Sequence, residues 1–99
     1  MLKHKTVKSE SKIEIVINKS RFIGHCFPIL DEDEAAGILA RLRKEYWDAS
    51  HNCYAYVLGE TGMLARFSDD GEPGGTAGMP ILDVIRKKGL TYTLIVVTR

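Results

Sequence analysis

Cysteine is scarce in this sequence, and long apolar runs are missing. Only Cys26 and Cys53 occur among 99 residues, and they do not form a C-x-x-C pair. No secretion-signal pattern opens the chain, and no run approaches the roughly 20 apolar residues of a membrane-spanning helix. These absences exclude a disulfide-built scaffold and predict a cytoplasmic protein with reduced thiols and no membrane partner.

The sequence also lacks a large excess of charge of either sign, because its net charge is only +1. No bulk field therefore pulls the protein onto nucleic acid, and such a contact would depend on local clusters of basic residues. The chain carries no P-loop, no G-x-G-x-x-G, no G-x-S-x-G and no H-E-x-x-H motif. The sequence thus favours a binding module over an enzyme, and we assign it no catalytic residue, no cofactor and no metal.

The chain is long enough for one domain, with a predicted flexible lead over residues 1–11 and a folded domain over 12–99. Apolar alternation predicts strands near 13–17 and 22–29, and apolar or β-branched segments predict strands near 52–58, 63–67 and 91–97. An i, i+3, i+4 stripe after Asp31 predicts a first helix, and Pro80 suits an early position in a second. The order ββαββαβ predicts an α+β, two-layer sandwich with both helices on one face of the sheet.

The most unusual segment is 68–80, which holds three carboxylates, four glycines and two prolines before the second helix. Its acids, Asp69, Asp70 and Glu72, have two interpretations. In the first, they hold a divalent cation through oxygen ligands. In the second, they bond local backbone N–H groups in a solvated turn, and turn chemistry alone favours this second interpretation. Thr76 is predicted to cap the helix that follows rather than to contact an anion.

Two further groups of residues have alternative interpretations. His51 and Cys53 are two apart, so they form either a nucleophile pair or part of a zinc site, or else Cys53 is a core residue and His51 closes the strand entry. The basic residues Lys19, Arg21 and Arg66, with Tyr54, Tyr56 and Phe67, form either an RNA-binding face or an ordinary charged sheet surface.

Four segments in order resemble the YigZ/IMPACT family. They are 19–23 (KSRFI), 51–56 (HNCYAY), 69–80 with its D-D-G-E-P and T-A-G pattern, and 96–99 (VVTR). The resemblance covers roughly residues 17–99. It implies a fold of the ribosomal protein S5 domain 2 type, and a chain that continues beyond Arg99 with a glycine-rich turn and a further helix. We therefore expect an incomplete C-terminus, with self-association covering the sheet face left exposed.

The resemblance also implies a role linked to translation, because IMPACT relatives restrain the kinase that phosphorylates the initiation factor during amino-acid starvation. We expect a non-enzymatic regulatory module whose partner is the ribosome, RNA or a translation-regulator protein. The alternative is a small metal- or thiol-dependent hydrolase that uses the acidic loop with His51 and Cys53. The candidate binding residues are Lys19, Arg21, His51, Asn52, Arg66, Asp69, Asp70, Glu72 and Thr76.

Overall fold

A computed structural model describes residues 5–17, 20–49, 51–71 and 77–99. In chain order the elements are β1 (Ser11–Ile17), β2 (Ser20–Pro28), α1 (Glu32–Glu45), β3 (Asn52–Leu58), β4 (Leu64–Ser68), α2 (Gly78–Lys87) and β5 (Thr93–Thr98). This confirms the predicted α+β class and the order ββαββαβ. Among the described residues, no helix is long and apolar enough to cross a membrane.

The five strands form one sheet in the order β1-β2-β5-β3-β4, and each neighbouring pair is antiparallel. The predicted strand at 91–97 is therefore the central one, paired with β2 on one side and with β3 on the other. Ile23 lies opposite Thr98, and Thr98 lies opposite Asn52. The end of β5 thus meets the β1–β2 hairpin and the start of β3 at one end of the sheet.

The layering differs from the predicted two-layer sandwich, because the two helices pack on opposite faces of the sheet. Tyr56, Leu58, Leu94 and Val96 form one core cluster with the apolar stripe of α1. Their strand neighbours Ala55 and Val57 form a second cluster with Leu82 and Ile85 of α2. Successive side chains of a strand point to opposite faces, so the central strands are covered on both sides.

Helix α1 begins as the sequence predicts. The N–H of Glu34 donates to Asp31 Oδ1 at 2.8 Å, and the Glu34 carboxylate accepts from the N–H of Leu30 at 2.6 Å. This reciprocal arrangement is close to a capping box, and it satisfies two backbone donors at the helix entry. Ala35, Leu39 and Leu42 then bury the inner face.

Helix α2 ends in the way that its sequence indicates. The N–H of Leu90 donates to the Ile85 carbonyl at 3.1 Å, and the N–H of Gly89 donates to the Arg86 carbonyl at 3.0 Å. These two bonds form a Schellman motif, which requires the positive φ of 66° found at Gly89. The same helix end contacts the predicted lead, since a parallel bridge joins Leu90 to Lys5.

Candidate functional site

Four backbone segments converge at one end of the sheet. They are the β1–β2 hairpin, the end of β5, the start of β3 and the turn that follows β4. We call this region the loop end and define it by the residues Arg21, Phe22, Arg43, His51, Asn52, Asp69, Asp70 and Arg99. It contains every described member of the predicted site except Arg66.

Asp69 holds the start of α2. Its Oδ1 accepts from the N–H of Ala77 at 2.8 Å and from the N–H of Gly78 at 2.6 Å. A carboxylate at this position satisfies two of the unpaired donors of a helix N-terminus and complements the helix dipole. Thr76, which the sequence predicts as the cap of this helix, lies outside the described residues. The N–H groups of Ala77 and Gly78 are satisfied by an acid eight and nine residues earlier in the chain.

Asp70 ties the same turn to β3 and α1. Its Oδ2 accepts from the N–H of Asn52 at 2.7 Å, and its Oδ1 lies 3.4 Å from Arg43 Nη1. Its backbone is left-handed, with φ of 47°, and Gly71 follows at 77°. Aspartate tolerates this conformation better than most residues because its short polar side chain bonds locally.

His51 and Asn52 are both bonded within the loop end. His51 Nδ1 lies 2.8 Å from the Asp70 carbonyl oxygen, and because a carbonyl only accepts, Nδ1 carries a proton. The Asn52 side chain is buried, and its Oδ1 accepts from the Thr98 hydroxyl at 2.7 Å. Asn52 therefore joins β3 to β5 through its side chain and to the acidic turn through its backbone.

Cys53 lies on the α2 face of β3 and is 5% exposed. Its thiol donates to the Asp69 carbonyl at 3.2 Å. Cys26 is partly exposed on β2, and burial raises the pKa of its thiol. Within the part of the chain that the structure describes, no group of three His, Cys, Asp or Glu side chains is placed to hold a metal.

The arginines of the loop end lie at its surface. Arg21 Nε forms a 2.6 Å ion pair with Glu14, and 64% of its side chain is exposed. Arg43 keeps 50% of its side chain exposed despite its contact with Asp70. The Arg99 guanidinium lies 5.7 Å from the centre of the Phe22 ring, and the Arg99 N–H donates to the His51 carbonyl at 3.0 Å. Cationic groups therefore extend from the hairpin to α1.

Arg66 lies away from the loop end. It pairs in register with Tyr56, four residues beyond Asn52, a distance of about 13 Å along the strand. Its Nε lies 3.9 Å from Glu32 Oε2. The Tyr56 hydroxyl donates to the same Glu32 at 2.5 Å, and burial and this bond raise the Tyr56 pKa to about 12. Arg66 thus belongs to a second polar cluster beside the start of α1.

The predicted aromatic face is also divided. Tyr54 and Tyr56 stack with ring centres 6.3 Å apart on the α1 face. Phe67 lies opposite Ala55, whose side chain packs with α2, so Phe67 is on the other face. The three aromatic side chains therefore do not form one surface.

The candidates Lys19, Glu72 and Thr76 lie outside the described residues, so their binding roles stay predictions. Arg43 and Arg99 are members of the loop end that the sequence did not single out. Arg43 had a local signal only as a basic residue in the last turn of a helix, and Arg99 only as the end of the VVTR segment. Their positions follow from the sheet topology.

Comparison with known proteins gives consistent matches. The profile of the Impact N-terminal domain matches residues 18–99. The chain is 49% identical over 94 residues to the IMPACT family member YvyE of Bacillus subtilis, covering 95% of this chain and 43% of that protein. It is 39% identical over 85 residues to the IMPACT family member YigZ of Escherichia coli, covering 84% of this chain and 42% of that protein.

A solved structure described as the crystal structure of a hypothetical protein matches the fold. Its TM-score is 0.85 at 33% identity, over 93% of this chain and 46% of that one. The chain therefore spans less than half the length of these relatives. The match of the profile to residues 18–99 shows that this chain belongs to the IMPACT family, with its Impact N-terminal domain at those residues.

Proposed function

We propose that this domain is a non-enzymatic binding module that contacts the RNA of the ribosome through the loop end. One observation carries the proposal. The carboxylates of Asp69 and Asp70 are directed at backbone N–H groups of the fold, whereas the side chains of Arg21 and Arg43 are 64% and 50% exposed. Asp69 and Asp70 thus build the fold, and the side chains of Arg21 and Arg43 face outward.

The exposed arginines suit phosphate. Ion pairs at a protein surface stabilise by at most about 1 kcal/mol, so the Arg21–Glu14 and Arg43–Asp70 contacts are readily exchanged for a phosphate group. The planar guanidinium group donates two parallel hydrogen bonds to phosphate oxygens, and it also stacks on bases. With a net charge of +1, the chain would bind through this local surface rather than through its overall field.

The proposal keeps the expectation that the family resemblance supplies, a role linked to translation. A translation-regulator protein is the other partner that the resemblance implies, and it is an outcome of the test below. The cytoplasmic location and the self-association through an exposed sheet face stay predictions.

No observation favours the hydrolase alternative. A cysteine nucleophile needs exposure and a lowered pKa, and Cys53 is buried with its thiol directed at a backbone carbonyl. His51 donates from Nδ1 to another backbone carbonyl. These contacts hold the strand entry and the acidic turn together, which is the structural interpretation of the pair.

The test is sedimentation of the domain with purified ribosomes at several salt concentrations. We expect co-sedimentation at low salt that weakens as salt rises, and weaker but measurable co-sedimentation of the Arg21→Ala/Arg43→Ala variant at low salt. Lys87→Ala/Lys88→Ala is the matched control, because it removes the same charge from exposed positions at the opposite end of α2. Two results would reject RNA contact at the loop end. One is equal binding of the domain to ribosomal proteins from which the RNA has been removed, and the other is equal loss of binding in both variants.

A further inference from the structure

A cavity of about 370 Å³ lies between β1, β2 and the last turns of α1. Its lining includes Glu10, Lys12, His25, Phe27, Arg41 and Glu45, and none of these residues belongs to the loop end. Small-molecule sites occupy about 300–1,000 Å³, so this volume is at the lower end of that range. It suits a small solute and is too small for a helix or strand of a partner.

The histidine that lines this cavity has an unsatisfied ring nitrogen. His25 is 4% exposed, and among the described residues its Nε2 is the buried side-chain polar atom without a hydrogen-bond partner. The ring packs 5.3 Å from Tyr46 and stacks on Phe27 at 6.1 Å. Buried polar atoms are nearly always bonded, so an unpaired one beside a cavity indicates a polar guest.

The cavity has charges of both signs. Lys12 has three donors, and the bond that it makes within the described part of the chain is a long one, 3.3 Å, to the Tyr46 hydroxyl. The Arg41 guanidinium lies 5.4 Å from the centre of the Phe27 ring and 3.8 Å from a Glu10 oxygen. Glu45 adds a second carboxylate to the lining. A solute with a single charge would be repelled either by the two cations, Lys12 and Arg41, or by the two carboxylates of Glu10 and Glu45. A zwitterion complements both signs.

We infer that this cavity binds a small zwitterion, with its anionic group at Lys12 and Arg41 and its cationic group at Glu45. The zwitterion is either an amino acid or a quaternary betaine, which share this chemistry. The site is independent of the proposed RNA contact, since the two share no residue.

His25 is suited to a neutral role in this site. Burial and the nearby Lys12 lower its pKa, Arg41 lowers it further, and Glu45 opposes them. The ring therefore stays uncharged at neutral pH, with one nitrogen that donates and one that accepts. A neutral imidazole adds a hydrogen bond to a bound solute without changing the balance of charge.

The experiment is a titration followed by NMR, with L-valine and glycine betaine as zwitterionic probes. Acetate and ethylammonium are the probes of single charge. We expect saturable shifts of the His25 ring and Lys12 signals with at least one zwitterion, and no saturation with either single-charge probe at the same concentration. Saturation by valine and not by betaine would identify a ligand with N–H donors. Saturation by betaine and not by valine would identify a quaternary ammonium ligand.

The Lys12→Gln/Glu45→Gln variant keeps the net charge and removes one charge of each sign from the lining. It should keep the wild-type fold by NMR and lose the saturable shifts at His25. Lys87→Gln/Asp83→Gln, which alters exposed residues of α2, should leave them intact. Failure of both zwitterions to saturate, or equal saturation by acetate, would overturn the inference.

Discussion

Replacing Gly78 with alanine is expected to destabilise the domain, although alanine is the better helix former. Gly78 opens α2 directly against β4. A Cβ atom at this position would lie 2.8 Å from the carbonyl carbon and oxygen of Ser68 and 2.9 Å from its nitrogen. Backbone atoms cannot rotate away as a side chain can, so either α2 or the end of β4 must shift.

The expected loss in the free energy of unfolding follows from three contributions. Overpacking costs about 1–3 kcal/mol, and alanine returns at most about 1 kcal/mol of helix propensity. The shift also strains the bonds that Asp69, the next residue after Ser68, makes to α2, each contributing about 1 kcal/mol. The net loss is about 2 kcal/mol, which at a urea m-value of about 1.5 kcal/mol/M lowers the unfolding midpoint by about 1.3 M.

Gly37→Ala is the matched control, because Gly37 lies in α1 and a Cβ there meets no atom within 4 Å. This variant should gain about 0.5–1 kcal/mol, so the two glycine-to-alanine changes should shift the urea midpoint in opposite directions. If Gly78→Ala stabilises the domain as Gly37→Ala does, α2 does not pack against Ser68 at the distance described.

Three further outcomes are expected. Asp69→Ala should lower the free energy of unfolding in urea by about 2 kcal/mol and Asp69→Asn by less, since asparagine keeps an acceptor; equal effects would contradict capping by the carboxylate. Glu32→Gln should lower the Tyr56 pKa from about 12, read by tyrosinate absorbance, and an unchanged value would contradict the bond between them. Stability should fall as pH drops below 6.5, the ordinary pKa of histidine, because the folded state resists protonation of His25 and the unfolded state does not. His25→Phe should reduce that slope, and an unchanged slope would exclude His25 as its source.

Local signals predicted the elements well. The cap of α1 depends on Asp31 and Glu34, which are three residues apart, and the stop of α2 depends on Gly89. Such interactions form within one or two turns, so their partners can be recognised in sequence. The observed boundaries of β4 and β5 differ from the predicted ones by one or two residues, since the end of a strand depends on where its neighbouring strand ends.

The predicted placement of both helices on one face of the sheet is wrong, because the central strands are apolar on both faces. In β3 the segment 53–58 is apolar at every position, and five of these six residues are buried. A run of this kind is typical of a strand covered on both sides. Within the described residues, α1 covers one face of β3 and α2 covers the other.

The candidate site was predicted as a set of residue types and not as a set of bonds. The sequence marked the acidic turn, but the targets of Asp69 and Asp70 lie eight residues later and eighteen residues earlier in the chain. Those partners are fixed by the packing of α2 on β4 and by the position of β3. For the same reason, Arg66 was grouped with residues from which the strand register separates it.

The salt dependence of ribosome binding tests most directly whether the loop end contacts RNA. The slope of log affinity against log salt counts the phosphate contacts, at about 0.7–0.9 per contact. Arg21→Ala/Arg43→Ala should reduce the slope by about 1.4–1.8, while Lys87→Ala/Lys88→Ala should leave it unchanged. An unchanged slope in the first variant, or an equal reduction in both, would contradict RNA binding through the loop end.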